Sequence, residues 1–400
     1  MKYASIVPLI GGETIAMENA FGKKPEYILS YEPFANNDQH IVEHYKREVP
    51  YHVLMAEGTA PLPASFDSVD VVGAVCPCAG LSSLSPSANS DAAANDWMSI
   101  TSDYVLGSMQ PKVFWGENAP RLASKMGEPV VKKLRTIAKK HGYTFSIYKT
   151  KSILHGLSQV RDRTFYFFWK GDVVPVFPYF DRPHEKIEDT IRNAFVSEDD
   201  PMNVLTNTKV PSHNPFYRYV LEEMEGGITH VEFAKKIEKT TNPLDYIEAA
   251  GITYEQVAKW MREKGYERDA LKCDRMYAKL KAGGNIMRKN TEIPKNYIGA
   301  FVGHLPTSLT HPDEDRYITI REALAIMKLP KDFQLQGGLK NLNHICQNVP
   351  VTTATDMAQA IKDYLEGNLD TLRTDFLVQD NKTKSINDYS DGVQLDEFMV

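Results

Sequence analysis

Cys78 stands in a Pro- and Gly-bounded loop, Ala74-Val-Cys-Pro-Cys-Ala-Gly-Leu-Ser82, directly after the apolar run Val69 to Val75. A thiol so placed sits at the mouth of a sheet. A helix opening after the loop favours its thiolate, which makes Cys78 a candidate nucleophile. Two further loops carry groups that could serve it. Glu117-Asn118 closes the run Val113 to Trp115, and Gly156-Leu-Ser-Gln159-Val-Arg161-Asp-Arg163 opens the run Thr164 to Trp169. A thiolate that adds covalently splits one hard step into two easier ones, and a carboxyl whose pKa burial raises can hold a proton for the reaction.

The segments around these loops alternate between strand and helix patterns. Ser5 to Ile10 is an apolar run, Gly11-Gly12 allows a tight turn, Thr14 to Ala20 has helical spacing, and Tyr27 to Tyr31 is a second strand ending at Glu32. This is the layout of a nucleotide-binding βαβ unit, with backbone close to the ligand at the glycines and an acidic residue about 20 positions on to accept ribose hydroxyls. Pro129 to His141 reads as a helix, with Val130, Val131, Leu134, Ile137 and Ala138 on one stripe, lysines near its end and Gly142 after it. Such alternation predicts an α/β fold, a mostly parallel sheet with helices on both faces and its ligand site at the carboxyl ends of the strands. Gly11, Glu32, Cys78 and Glu117 all fall at such ends.

The 400 residues suffice for two domains, and 42% hydrophobic with 24% charged residues is ordinary for a globular protein. No stretch approaches 18 apolar residues and the N-terminus lacks a small-residue cleavage site, so a cytoplasmic protein without a membrane span is expected. The four cysteines include no Cys-x-x-Cys pair, so neither a metal site nor a disulfide framework is expected. The net charge of -6 hides two opposite regions: Lys259 to Lys289 has ten Lys or Arg against four Asp or Glu, and Glu366 to Val400 has three against eight. The first is a candidate phosphate-facing surface, including Arg288 and Lys289 in a basic glycine loop; the second reads as an acidic, flexible tail. Helical signals at Val231 to Glu238 and Tyr254 to Lys281 have the flavour of a DNA-reading helix pair.

The Pro-Cys loop, the Glu-Asn loop and the Gln-x-Arg-x-Arg loop, in this order, resemble those of the DNA cytosine-5 methyltransferase family. Arg316-Tyr-Ile-Thr-Ile-Arg321-Glu322 with Leu329-Pro330 resembles the family's motif that packs its recognition domain, and Gln347-Asn348-Val349-Pro350 resembles its Gly-Asn-x-Val-Pro motif with Gln347 in place of glycine. The family places an aromatic residue and a further glycine where Val7 and Leu9 stand, and Gln and often Val where Ala79 and Ala119 stand. The resemblance, over about Ser5 to Leu365, implies a Rossmann-like S-adenosylmethionine-dependent methyltransferase sheet plus a smaller target-recognition domain. The expected divisions are a catalytic domain over 1–172, recognition over 173–315, packing motif and return over 316–366 and the tail over 367–400.

It further implies the cofactor S-adenosylmethionine, held by Ile10, Gly11, Gly12, Glu32, Glu57, Pro77 and Asn348. The implied partner is double-stranded DNA, with no metal and a monomeric enzyme. Cys78 would attack C6 of a cytosine flipped out of the duplex, Glu117 would protonate N3, and Arg163 would hold O2. Arg161 would anchor a phosphate or the loop, and Ser82, Asn118 and Gln159 would line or brace the base site. A branch of the family methylates RNA, and a catalytically idle DNA-binding relative is the other alternative.

Overall fold

A computed structural model of the chain describes residues 1–54, 66, 68–77, 80–82, 88–286, 288 and 291–381. Glu57, Cys78, Ala79 and Lys289 lie outside these residues. The chain divides into two units: Met1–His184, Met327–Gln336 and Gln347–Val400 make one, and Glu185–Ile326 with Gly337–Cys346 make the other.

Among the described residues the first unit is built on an eight-stranded sheet. Its strands are β1 (Tyr3–Ile6), β2 (Tyr27–Tyr31), β3 (Tyr51–Leu54), β4 (Val71–Ala74), β5 (Val113–Asn118), β6 (Tyr143–Lys151) and β7 (Asp162–Lys170). A short ribbon pairs β8 (Val174–Pro175) with β9 (Thr371–Leu372), and β10 (Phe376–Asn381) completes the sheet in the order β10-β6-β7-β5-β4-β1-β2-β3. All neighbours run parallel except β7, which is antiparallel to both β5 and β6. Every residue of β1, β4, β5 and β6 is buried, as strands covered on both faces require. Helix α1 (Gly12–Phe21) packs against the helix Val351–Leu365, and α2 is Gln39–His44; α3 (Asp96–Tyr104) packs against α4 (Glu128–His141). From β1 the chain runs outward to β2 and β3, then returns to place β4 on the other side. That reversal makes a topological switch point between β1 and β4, and ligands of open α/β sheets bind at the carboxyl ends of such strands.

Close strand packing at this end depends on glycine. A Cβ added at Gly116 of β5 would run into Tyr166 Oη and the carbonyl oxygen of Ala74. The Ala74 oxygen cannot withdraw, because it is backbone of the neighbouring strand β4, where Ala74 is the register partner of Gly116. Gly116→Ala is therefore expected to cost about 1–3 kcal/mol, read as a lower urea midpoint at unchanged slope.

The acidic C-terminal segment departs from expectation. Its first part is not a tail: Phe376–Asn381 pairs in parallel along β6, from Phe376 opposite Phe145 to Asn381 opposite Thr150. Phe376-Leu377-Val378 supplies the apolar contact, with the Phe376 ring stacked on Phe145 at 6.0 Å and under the Arg135 guanidinium at 4.4 Å. Residues 382–400 lie outside the described residues. Residues 316–366 likewise do not return as one piece. Met327–Gln336 already belongs to the first unit, where the wholly buried Phe333 packs by His44 and Met327 O accepts the Val351 N–H.

The second unit is helical around Phe216, Tyr217, Val257, Trp260, Met261 and Cys273. Its helices His230–Lys236 and Tyr254–Glu263 each open with a capping box, Thr229 with Glu232 and Thr253 with Gln256. Lys259, Arg262, Arg268, Lys272, Arg275 and Lys279 are exposed along Tyr254–Glu263 and Glu267–Lys281. A buried ion pair ties Asp200 to Arg321, at 2.6 and 3.0 Å. Removing one partner strands the other charge, so Asp200→Ala is expected to destabilise this unit by about 3–5 kcal/mol. Arg321 holds the Asp200 carboxyl below its usual range. Its contribution is thus present above about pH 3.9 and lost as pH falls through the depressed value, which acid titration of the wild type against Asp200→Ala checks.

Candidate active site

The loop that follows β1 holds several residues in left-handed backbone conformations. Gly11 has φ 103°, and Val7 and Leu9, which lack glycine's freedom, have φ 52° and 54°. Leu9, where the resembled family has glycine, therefore holds a left-handed backbone at a local strain on the order of 1 kcal/mol. Burial pushes the nearby Asp38 carboxyl up to about 7. Gly12 leaves no room for a side chain, since a Cβ there would meet Asn348 and the Val349 carbonyl oxygen. Its N–H donates to Asn348 Oδ1 at 2.9 Å, while Asn348 Nδ2 is buried with no hydrogen-bond partner. Ile10 is buried, and Glu32 is exposed at the carboxyl end of β2. A tight glycine cradle, an orphaned amide and an exposed carboxylate one strand away fit an adenosyl cofactor.

Of the two cysteines in the Pro-Cys loop, burial excludes one as nucleophile. Cys76 is 2% exposed, its Sγ lies 3.8 Å from Trp97 O, and its thiol is pushed up to about 11, chiefly by burial. It is a protonated core thiol near neutrality. Pro77 is half-buried, and the Ser82 carbonyl accepts from Arg121 Nη1 at 3.4 Å.

Glu117, the fifth residue of β5, is 4% exposed, and its Oε1 lies against Arg163 Nε at the start of β7. Burial pushes its carboxyl up, and the guanidinium groups of Arg163 and Arg161 pull the other way without cancelling the shift. A raised carboxyl holds its proton towards neutral pH. Arg161 is 2% exposed and donates from Nη2 to Asn348 O at 3.2 Å. Such burial removes the phosphate alternative and leaves loop anchoring. Asn118 and Gln159 are wholly buried braces: Asn118 Oδ1 accepts the Ala119 N–H at 2.9 Å and Gln159 Nε2 lies 3.3 Å from Met327 Sδ.

Gly12, Asn348 and Arg161 thus form one hydrogen-bonded line, and Glu117 and Arg163 a second pair at the same edge of the sheet. Arg288 is not a free phosphate ligand. Its guanidinium bonds Glu248 at 2.8 and 2.9 Å and Asp245 at 3.0 Å, so two carboxylates compete with any phosphate. Sequence reasoning missed Glu13, the second residue of α1. It is 2% exposed with both carboxyl oxygens lacking a hydrogen-bond partner, and its pKa is raised well up by burial and then by Glu117. An acid in a first helical turn reads as an ordinary dipole partner, so the sequence carried no sign of it.

The profile of the C-5 cytosine-specific DNA methylase family matches residues 1–363. No curated protein matches the chain. Among solved structures, a DNA modification methyltransferase encoded within an E. coli prophage is similar at TM-score 0.57 and 14% identity, covering 92% of this chain and 99% of that one. The Entamoeba histolytica methyltransferase EhMeth is similar at TM-score 0.50 and 13% identity, covering 91% and 98%. At these identities the likeness concerns the fold. Among the described residues no helix is long and apolar enough to cross a membrane.

Proposed function

Because the chain belongs to the C-5 cytosine-specific DNA methylase family, we propose that it methylates C5 of a cytosine flipped out of duplex DNA, through a covalent bond between Cys78 Sγ and C6. The observation that supports this most is the buried Glu117–Arg163 pair, an acid with a raised pKa and a fixed guanidinium at the carboxyl edge of the sheet. Cytosine C5 is a poor nucleophile. Thiolate addition at C6 pushes an electron pair towards C5, and a proton from Glu117 to N3 neutralises the ring as the bond forms. Arg163 holds O2, and Arg161 acts through Asn348 rather than on substrate. C5 then takes the methyl group, loses its proton to a base or water, and the Sγ–C6 bond breaks.

S-adenosylmethionine, which the family implies, would be held by Ile10, Gly11, Gly12, Glu32, Glu57, Pro77 and Asn348 and supplies an activated methyl group. The base must leave the stack at a cost of a few kcal/mol, which contacts from the second unit offset; its exposed basic helices suit a phosphate backbone. Ser82, Asn118 and Gln159 shape the base site, Asn118 and Gln159 by bracing loops. Lys289 remains a candidate phosphate contact.

The test is methyl transfer from tritiated S-adenosylmethionine to duplex DNA and, in parallel, to transfer RNA. Incorporation into DNA that sequencing places at C5 of a defined cytosine is expected. Incorporation into RNA alone replaces the substrate, and none into either removes the activity.

A further inference from the structure

We propose that His155 and Asp356 are positioning residues, a buried brace that holds the arginine loop in register with the segment carrying Asn348. The brace is a continuous line of hydrogen bonds. Asn381 Nδ2 donates to Thr150 Oγ1 at 3.2 Å, Thr150 Oγ1 lies 2.7 Å from His155 Nε2, and His155 Nδ1 lies 2.7 Å from Asp356 Oδ2. Arg182 closes the line on Asp356 Oδ1. Burial lowers the basicity of His155, so the ring is neutral, with Nδ1–H donating to the carboxylate and Nε2 accepting the threonine hydroxyl. Every member then has a partner, as a buried polar line must.

The order threonine, histidine, aspartate is that of a nucleophilic triad. Here it cannot be one: Thr150 and His155 are wholly buried, and an activated hydroxyl has to meet substrate.

What the line joins gives it a purpose. Thr150 is the cross-strand partner of Arg163 in the β6–β7 ladder. His155 ends the turn that Ser152 opens, and Ser152 bonds the Arg161 carbonyl through both its N–H at 3.0 Å and its hydroxyl at 3.2 Å. At the other end, Asp356 lies in the first turns of the helix Val351–Leu365, which begins two residues after Val349 and three after Asn348. Arg161 reaches across to Asn348 O. The arginine loop and the Asn348 segment are therefore fixed to each other twice, once through Arg161 and once through the brace. This inference rests on the proposed methyl transfer for its purpose, but not for its geometry. A displacement near 1 Å in such a frame is enough to cost about a hundredfold in rate.

His155→Phe keeps a ring beside Phe180, whose centroid lies 4.9 Å away, and removes both hydrogen bonds. It is expected to lower kcat for methyl transfer by about 10- to 100-fold and to raise the half-saturating S-adenosylmethionine concentration. Amide exchange should quicken in residues 152–163 and 348–356 together, with β1 and β2 unchanged. His155→Asn restores a donor at the Nδ1 position and should recover most of both effects. Asp356→Asn, a smaller change, should give the same paired exchange pattern, and adding it to His155→Phe should add little. Exchange that quickens in one segment alone or throughout the sheet, additive effects, or His155→Asn no better than His155→Phe would each overturn the brace. Should the wild type transfer no methyl group, the functional reading fails, and the exchange pattern still decides the brace.

Discussion

Cys78→Ser is expected to abolish covalent trapping on duplex DNA containing 5-fluorocytosine while leaving DNA affinity within a few-fold of wild type. Fluorine cannot leave C5 as a proton does, so an enzyme that has added at C6 and transferred its methyl group stays bonded to the base. A serine hydroxyl remains protonated where a thiol is partly ionised near neutrality, so the addition step loses its nucleophile and not merely part of its rate. Cys76→Ser is the control, two residues away. Cys76 is 2% exposed with its thiol pushed up to about 11, so it supplies no thiolate, and its loss should leave trapping intact. The adduct is read as a band resistant to denaturation on a gel, formed only with S-adenosylmethionine present. Trapping that survives in Cys78→Ser, or that vanishes in Cys76→Ser at unchanged folding, removes the assignment of the nucleophile.

The parts of the molecule legible in the sequence are those fixed by local chemistry. The second strand runs Tyr27–Tyr31 as its apolar pattern predicts, and the helix ending at His141 stops at Gly142, whose φ of 78° few other residues adopt. Gly11, Glu32 and Glu117 fall at strand ends because loops after parallel strands gather on one edge of such a sheet. What sequence could not supply is set by partners far along the chain. Nothing in Phe376 to Asn381 outweighs its acidic surroundings until β6 offers a ladder. Arg161 and Arg288 look alike as cations, yet one is enclosed beside Asn348, 187 residues on, and the other is matched by Glu248, 40 residues back. His155 and Asp356 are 201 residues apart, a separation no spacing rule covers. Leu9 shows the converse, a residue other than glycine that adopts a left-handed backbone, which no apolar pattern foretells.

That enclosure also decides what Glu117 is, and Glu117→Gln measures it. If the carboxyl works as an acid, the amide cannot deliver a proton to N3, and kcat should fall by about 10²- to 10⁴-fold. Burial raises its pKa against the opposing pull of Arg163 and Arg161. The protonated, active form therefore persists above the ordinary carboxyl range, near pH 4.3, and the wild-type rate should fall as pH rises through the raised value. The variant should lack that limb. Stability separates the acid from a structural ion pair, because the two make opposite demands on the same substitution. A carboxyl held neutral is nearly isosteric with the amide, so Glu117→Gln should unfold close to wild type at neutral pH. A carboxylate locked to Arg163 would leave that guanidinium buried without its counter-charge, at about 3–5 kcal/mol. A loss of rate with little loss of stability is the expected result. A loss of both in that range, with the pH limb unchanged, would make Glu117 the partner that holds Arg163 and return the search for the acid to Glu13, the neighbouring carboxyl whose two oxygens lack hydrogen-bond partners.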